Sequence, residues 1–296
     1  MTQKIILHIG SPKCGSTYLQ RVMVQNSETL LQQGIHYPAP TGSHPGNAGH
    51  LAEFKQADVD AMFENGAHTV VLSHEDLYSL SKRGIALAEI TAKAGIAVQL
   101  LVFLRPFSDF VFGDYSQFMK QFFDTFLAER KPYGGRDFET FAKRRIDTMK
   151  PAAYLTNWAK LFPGLPLILD SHRNIQPVLD TVLGQPEGMI WEVPHHETNP
   201  SLRMQDCDVI AAAMRDPGCA DEDIRRMFLT AFHHTQEPDM GRSPERIACW
   251  KSNSARITRP CWRNSALTTG PLFVAMFEAQ EAVRQSEAAT VVCIKA

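Results

Sequence analysis

Apolar residues cluster in two distinct rhythms along this chain. Lys4-Ile5-Ile6-Leu7-His8-Ile9 is apolar without alternation and stops at Gly10, which predicts a strand over 4–9 buried on both faces. His68-Thr69-Val70-Val71-Leu72-Ser73, the stretch from Ile96 to Leu104 and the stretch from Leu165 to Asp170 read the same way. Between them the rhythm changes. Leu19, Val22, Met23, Leu30 and Leu31 recur at helical spacing and predict a helix over 16–33 that ends at Gly34. Residues 51–64, 151–162 and 174–183 and several stretches from 201 to 232 also read as helices, and 274–287 as a final one. Phe107, Phe110, Val111, Tyr115, Phe118, Met119, Phe122, Phe123 and Phe126 recur at three and four, so 107–127 is a long helix whose aromatic stripe belongs to a core. Strands alternating with helices predict an α/β fold in three layers, with a central, mostly parallel sheet and a helix-rich C-terminal part. The stretch from Tyr37 to Gly49 holds Pro38, Pro40, Gly42, Pro45 and Gly46; it predicts an irregular surface loop, of the kind that borders a substrate cleft.

Composition narrows the class. A chain of 296 residues with 44% hydrophobic and 21% charged residues and a net charge of −2 is an ordinary globule with no general attraction for nucleic acid. No run reaches transmembrane length, so membrane insertion is not expected. One domain over 1–264 followed by a tail over 265–296 is the expected organisation, and the oligomeric state is unspecified. Charge is uneven: from Gly241 to Asn264 six basic residues face the single acid Glu245, which reads either as a solvated surface or as a rim for an anionic ligand. Six cysteines without a C-x-x-C pair suit a reduced compartment, and the cytoplasm is the expected location. His195, His196, His233 and His234 lack the helical spacing of a zinc site and are expected to be surface or packing histidines.

The candidate chemistry starts where the first strand meets the first helix. Gly10-Ser11-Pro12-Lys13-Cys14-Gly15-Ser16-Thr17 joins them, and backbone N–H groups of such a loop, with the positive end of the helix dipole, favour a phosphate. A nucleoside triphosphate loop reads G-x-x-x-x-G-K-[ST]; here Gly10 and Gly15 keep that spacing, Ser16 occupies the lysine position and the lysine stands at 13. With its lysine inside the loop, the segment resembles the 5′-phosphosulfate loop of sulfotransferases that use 3′-phosphoadenosine 5′-phosphosulfate (PAPS), of the bacterial and heparan type. The resemblance covers roughly residues 4–202 and is strongest over 4–20 and 101–117. It implies a P-loop-containing fold, PAPS as co-substrate, 3′,5′-ADP as product, no metal, and a small-molecule or carbohydrate hydroxyl or amine as acceptor.

Residue by residue, the resemblance implies that Lys13, Cys14, Gly15, Ser16 and Thr17 hold the 5′-phosphate, through loop amides and the two hydroxyls. Lys13 also neutralises charge on the leaving oxygen, where it acts on the transition state. Ser16 and Thr17 equally suit a helix N-cap. Cys14, beside a helix start and a lysine, suits either a lowered thiol pKa or simple packing, and packing is the plainer reading. Arg105, at the end of the 96–104 strand in Leu104-Arg105-Pro106, corresponds to the arginine that grips the 3′-phosphate; its local alternative is plain helix initiation with Pro106. The serine that the family places eight residues on is here Gly113, a departure from V-x-S-x-Y. Ser116 lies about one helical turn further on and within about 60° of the same face, so its hydroxyl is the expected substitute. Lys120 continues that face. Glu75, just past the 68–73 strand, corresponds to the glutamate base of the heparan and bacterial type, with His74 as the substitute base and a first-turn helix residue as the structural alternative. Asn199-Pro200-Ser201-Leu202 is similar to a short N-x-S-L stretch of bacterial members and is given no catalytic role.

Two other readings stay open. A small-molecule kinase using ATP and magnesium needs a lysine after Gly15 and an acid at a strand end, where this chain has Ser16 and Arg105. A non-catalytic binding protein of the same fold is favoured by Gly113.

Overall fold

The computed structural model describes residues 2–247 and 292–294. They form two compact units. The first comprises residues 2–105, 150–199 and strand 292–294, and the second 106–149 and 200–247.

The first unit is built on a sheet of six strands: β1 (Lys4–His8), β2 (Ile35–His36), β3 (Thr69–Ser73), β4 (Ala97–Leu104), β5 (Leu167–Ser171) and β6 (Val292–Ile294). Their spatial order is β2-β3-β1-β4-β5-β6. The first five are parallel, with Leu7 level with both Leu72 and Leu100, while β6 runs antiparallel to β5. Ile5, Ile6 and Leu7 have no exposed surface, so both faces of β1 are covered, as the unbroken apolar run requires. On one face Ile6, Val71, Leu101, Phe103 and Ile168 pack with Leu19 and Met23 of helix α1 (Ser16–Gln25), Leu30 of α2 (Ser27–Gln32) and Val178 and Leu179 of α8 (Ile175–Leu183). The other helices of this unit are α3 (Gln56–Met62), α4 (Ile85–Ala94), which lies along β4, and α7 (Pro151–Leu161).

The expected helix over 16–33 is two helices. Asn26 separates them: its Nδ2 donates to Val22 O at 2.8 Å and to Ile190 O at 2.7 Å, and Ile190 N donates back to its Oδ1. The expected helix over 51–64 is a 3-10 turn (Leu51–Glu53) followed by α3. Residues 292–294, inside the stretch expected as a separate tail, belong to the sheet. The proposed boundary at 264, the helix over 274–287 and most of the basic stretch 241–264 lie outside the described residues. Of that stretch, Arg242 pairs with Asp239 and Arg246 with Asp208, so these two charges are neutralised within the unit.

The second unit consists of α5 (Phe107–Glu129), α6 (Phe138–Thr148), α9 (Met204–Arg215) and α10 (Asp221–Ala231). The aromatic stripe of α5 is its core: Phe110, Phe112, Tyr115, Met119 and Phe123 pack with Phe138 and Phe141 of α6, Met204 and Cys207 of α9, and Ile224 of α10. Tyr115 stacks on Tyr133 with ring centroids 3.7 Å apart. Beneath the stripe, Asp114 is buried and paired with Arg145 Nε at 2.6 Å. No described helix is long and apolar enough to cross a membrane.

Candidate functional site

The loop after β1 turns at three left-handed positions, Gly10 (φ 75°), Lys13 (φ 60°) and Gly15 (φ 83°). Lys13 is the only one of these with a side chain, and such a conformation at a non-glycine residue costs about 1 kcal/mol or more, a strain typical of functional loops. Both glycines are also needed for space. A Cβ on Gly10 would stand 2.5 Å from Glu75 Cα, and one on Gly15 would stand 2.4 Å from Ile175 Cδ1. The loop is therefore wedged between the segment after β3 and the start of α8. Its interior turn closes through Cys14 N donating to Ser11 O at 3.3 Å, so of the amides expected to face a phosphate, that of Cys14 is spent within the loop.

Cys14 packs in the sheet-facing core and is 2% exposed. Burial pushes its thiol up to about 11, although hydrogen bonds from the Ser11 hydroxyl and the Arg105 backbone and the charges of Arg105 and Lys13 pull the other way. The reactive thiol is thus replaced by a packing residue that ties the loop to the end of β4. The Tyr78 hydroxyl, also buried, bonds to the Ser11 side chain as well. Helix α1 begins at Ser16 behind Gly15 as N-cap, with no side chain capping it. Ser16 is 3% exposed and its hydroxyl has no partner, so it does not act as the N-cap that its residue type suggested. An orphaned buried hydroxyl at an uncapped helix start suits an anion ligand.

Beneath the loop lies a buried polar network that no sequence pattern announces. His8 Nδ1 and Ser73 Oγ are 2.8 Å apart, and Gln20 Nε2 donates to the same Ser73 Oγ at 3.0 Å, joining the ends of β1 and β3 to α1. Burial lowers the His8 imidazole to about 3, so it stays neutral.

Glu75 opens a 3-10 turn (Glu75–Leu77) immediately after β3. Ser73 does not cap this turn; His74 does, its Nδ1 accepting from Asp76 N at 3.2 Å. The neutral His74 ring therefore carries its proton on Nε2, and burial favours that neutral form. Such a ring offers a donor at Nε2. Glu75 keeps a side chain about one third exposed, with Oε1 3.7 Å from Nε2 of His44.

His44 comes from the loop over 37–49, the irregular segment expected to border a cleft. Asn47 holds that loop to β3: its Oδ1 accepts from Ser73 N at 2.8 Å, and its Nδ2 donates to Val71 O at 3.0 Å and Pro38 O at 3.1 Å. The His44 and His74 rings stack at 4.9 Å. Pro and Gly content marks the loop in the sequence, but nothing there marks His44 or Asn47.

Arg105 follows β4, with Nη2 3.3 Å from His172 Nε2. His172 begins the turn after β5, and sequence reasoning gave it no role. The other two residues expected at a 3′-phosphate belong to the second unit. Gly113 is buried inside α5. Ser116 is wholly buried, and its hydroxyl accepts from Leu202 N at 2.7 Å. That bond makes Ser116 an anchor for the chain at Leu202. Lys120 likewise donates to Pro200 O at 2.8 Å. The N-x-S-L stretch is thus a strap held on α5.

Among the described residues no three His, Cys, Asp or Glu side chains converge as metal ligands would. Comparison of the chain with protein-family models and with curated protein sequences gives no match.

Proposed function

We propose that the chain is a PAPS-dependent sulfotransferase that transfers a sulfuryl group to a hydroxyl or amine, with a carbohydrate as the acceptor class. The observation that supports this reading is the close approach of Gly10 to the backbone of Glu75, which sets the loop read as a phosphate cradle beside the segment that bears a carboxylate. A second support is the bond from the Arg105 backbone to the Cys14 thiol, which brings a guanidinium-bearing strand end to the same loop. All three segments lie at the carboxyl ends of β1, β3 and β4. The winding of the sheet reverses beside β1, the place where parallel α/β sheets bind ligands.

In this reading Glu75 takes the proton of the acceptor, whose oxygen or nitrogen attacks sulfur in line. The sulfur–oxygen bond to the 5′-phosphate breaks, and its electron pair stays on the phosphate. Lys13, the loop amides and the Ser16 and Thr17 hydroxyls stabilise that charge, which is where such groups lower the barrier most. Arg105 anchors the 3′-phosphate. His74 serves as a donor and capping residue. The cysteines described, Cys14, Cys207 and Cys219, are all free thiols, which suits a cytoplasmic enzyme.

Calorimetric titration with 3′,5′-ADP and then with ATP and magnesium tests the reading. Binding of the first and not the second is expected, and Lys13→Ala and Glu75→Gln should each abolish release of 3′,5′-ADP from PAPS. Binding of ATP and magnesium alone would sink it.

A further inference from the structure

Two side chains flank Glu75, and the hydrogen bonds around them assign different roles. Gly46 N donates to His44 Nδ1 at 3.0 Å, so that nitrogen presents its lone pair and the ring proton sits on Nε2. Nε2 carries a proton whether the ring is neutral or charged, and it is the nitrogen that faces Glu75 Oε1, at 3.7 Å. The ring's direction is fixed twice over, by this turn and by stacking on His74 at 4.9 Å with 29° between planes. The backbone that bears it is fixed as well. A Cβ on Gly46 would stand 2.9 Å from both Ser73 O and Gln20 Nε2, and the Tyr37 hydroxyl donates to Pro45 O at 2.7 Å. Glu75 is itself held from behind by Gly10.

We propose that His44 is a positioning residue for the Glu75 carboxylate: its Nε2–H engages Oε1 and leaves the second oxygen to receive the acceptor's proton. The inference rests on the reading of Glu75 as the acceptor base. His44 takes no proton in the reaction, because Nε2 already bears one and Nδ1 is occupied by Gly46. In this proposal the 3.7 Å separation closes to a hydrogen bond when the acceptor binds. A contact this exposed contributes little to folding. Its effect falls on geometry, where a displacement of about 1 Å costs on the order of 100-fold in rate.

The test compares wild type, His44→Phe, His44→Gln and Glu75→Gln, using PAPS as donor and a methyl glucoside at high concentration as the acceptor probe. Turnover is read as 3′,5′-ADP formed, and donor-site affinity by calorimetry with 3′,5′-ADP. His44→Phe keeps the ring stack and loses the donor; roughly 10- to 100-fold lower kcat with unchanged 3′,5′-ADP affinity and melting temperature is expected. His44→Gln, whose amide N–H reaches the Nε2 position, should recover most of that loss. A His44→Phe variant as fast as wild type, or a His44→Gln variant as slow as His44→Phe, overturns the assignment of His44 while leaving Glu75 in place. Wild type that neither binds 3′,5′-ADP nor forms it from PAPS overturns the reading of Glu75, and this inference with it.

Discussion

His8 gives the sharpest link between the interior of the sheet and solution behaviour. It is 1% exposed and bonded through Nδ1 to Ser73, and burial holds its imidazole at about 3, against about 6.5 in an unfolded chain. Between those two values the unfolded chain carries a proton that the native protein does not. Stability from this residue is therefore fully present above pH 6.5 and drains away as the pH falls, by about 1.4 kcal/mol per pH unit. Going from pH 7 to pH 5 costs about 2 kcal/mol from His8 alone. His8→Asn removes the titration yet still reaches Ser73 with an amide. Urea unfolding followed by circular dichroism at pH 5, 6, 7 and 8 then gives two curves of stability against pH. The carboxylates titrate alike in both proteins, so the difference between the curves isolates His8. Wild type should lose about 2 kcal/mol more than the variant between pH 7 and pH 5. Parallel curves would refute the argument that a neutral, desolvated imidazole supports the loop at the end of β1.

Two further substitutions separate the loop from the helical unit. Gly10→Ala puts a Cβ 2.5 Å from Glu75 Cα at a φ of +75°, so the loop must shift away from the carboxylate; 3′,5′-ADP binding should weaken at least about tenfold, and unchanged affinity in calorimetry would contradict the wedge described above. Ser116→Ala leaves Leu202 N without its buried partner and should cost about 1–3 kcal/mol in urea unfolding, with 3′,5′-ADP affinity unaltered; loss of affinity without loss of stability would restore Ser116 as a phosphate ligand.

Legibility followed the range of the forces involved. The strands over 4–9, 68–73 and 96–104 and the helix over 107–127 are specified by their own apolar spacing, and the structure differs from those expectations by a residue or two at their ends. The break at Asn26 is not local: its partner Ile190 is remote in sequence, and the apolar spacing runs through it without interruption. Helix α6 went unread despite Phe138, Phe141, Ala142 and Ile146 at helical spacing behind an Asp137 cap, because its charged residues dilute the stripe. At the candidate site, Lys13, Glu75 and Arg105 stand out because each sits where a strand gives way to a loop. The same reasoning did not find Leu202 as the partner of Ser116, since angular position on a helix does not reveal which chain covers that face. His44, Asn47 and His172 owe their positions to packing between distant segments, and no spacing rule reaches them.

Among the described residues the sheet ends on one side in the two-residue β2 and on the other in the three-residue, antiparallel β6. Longer borders would offer a row of unsatisfied amides and carbonyls to any passing chain. Val292–Ile294 thus act as a guard for Leu167–Leu169, and deleting them should leave that strand open as a template for strand-by-strand self-association.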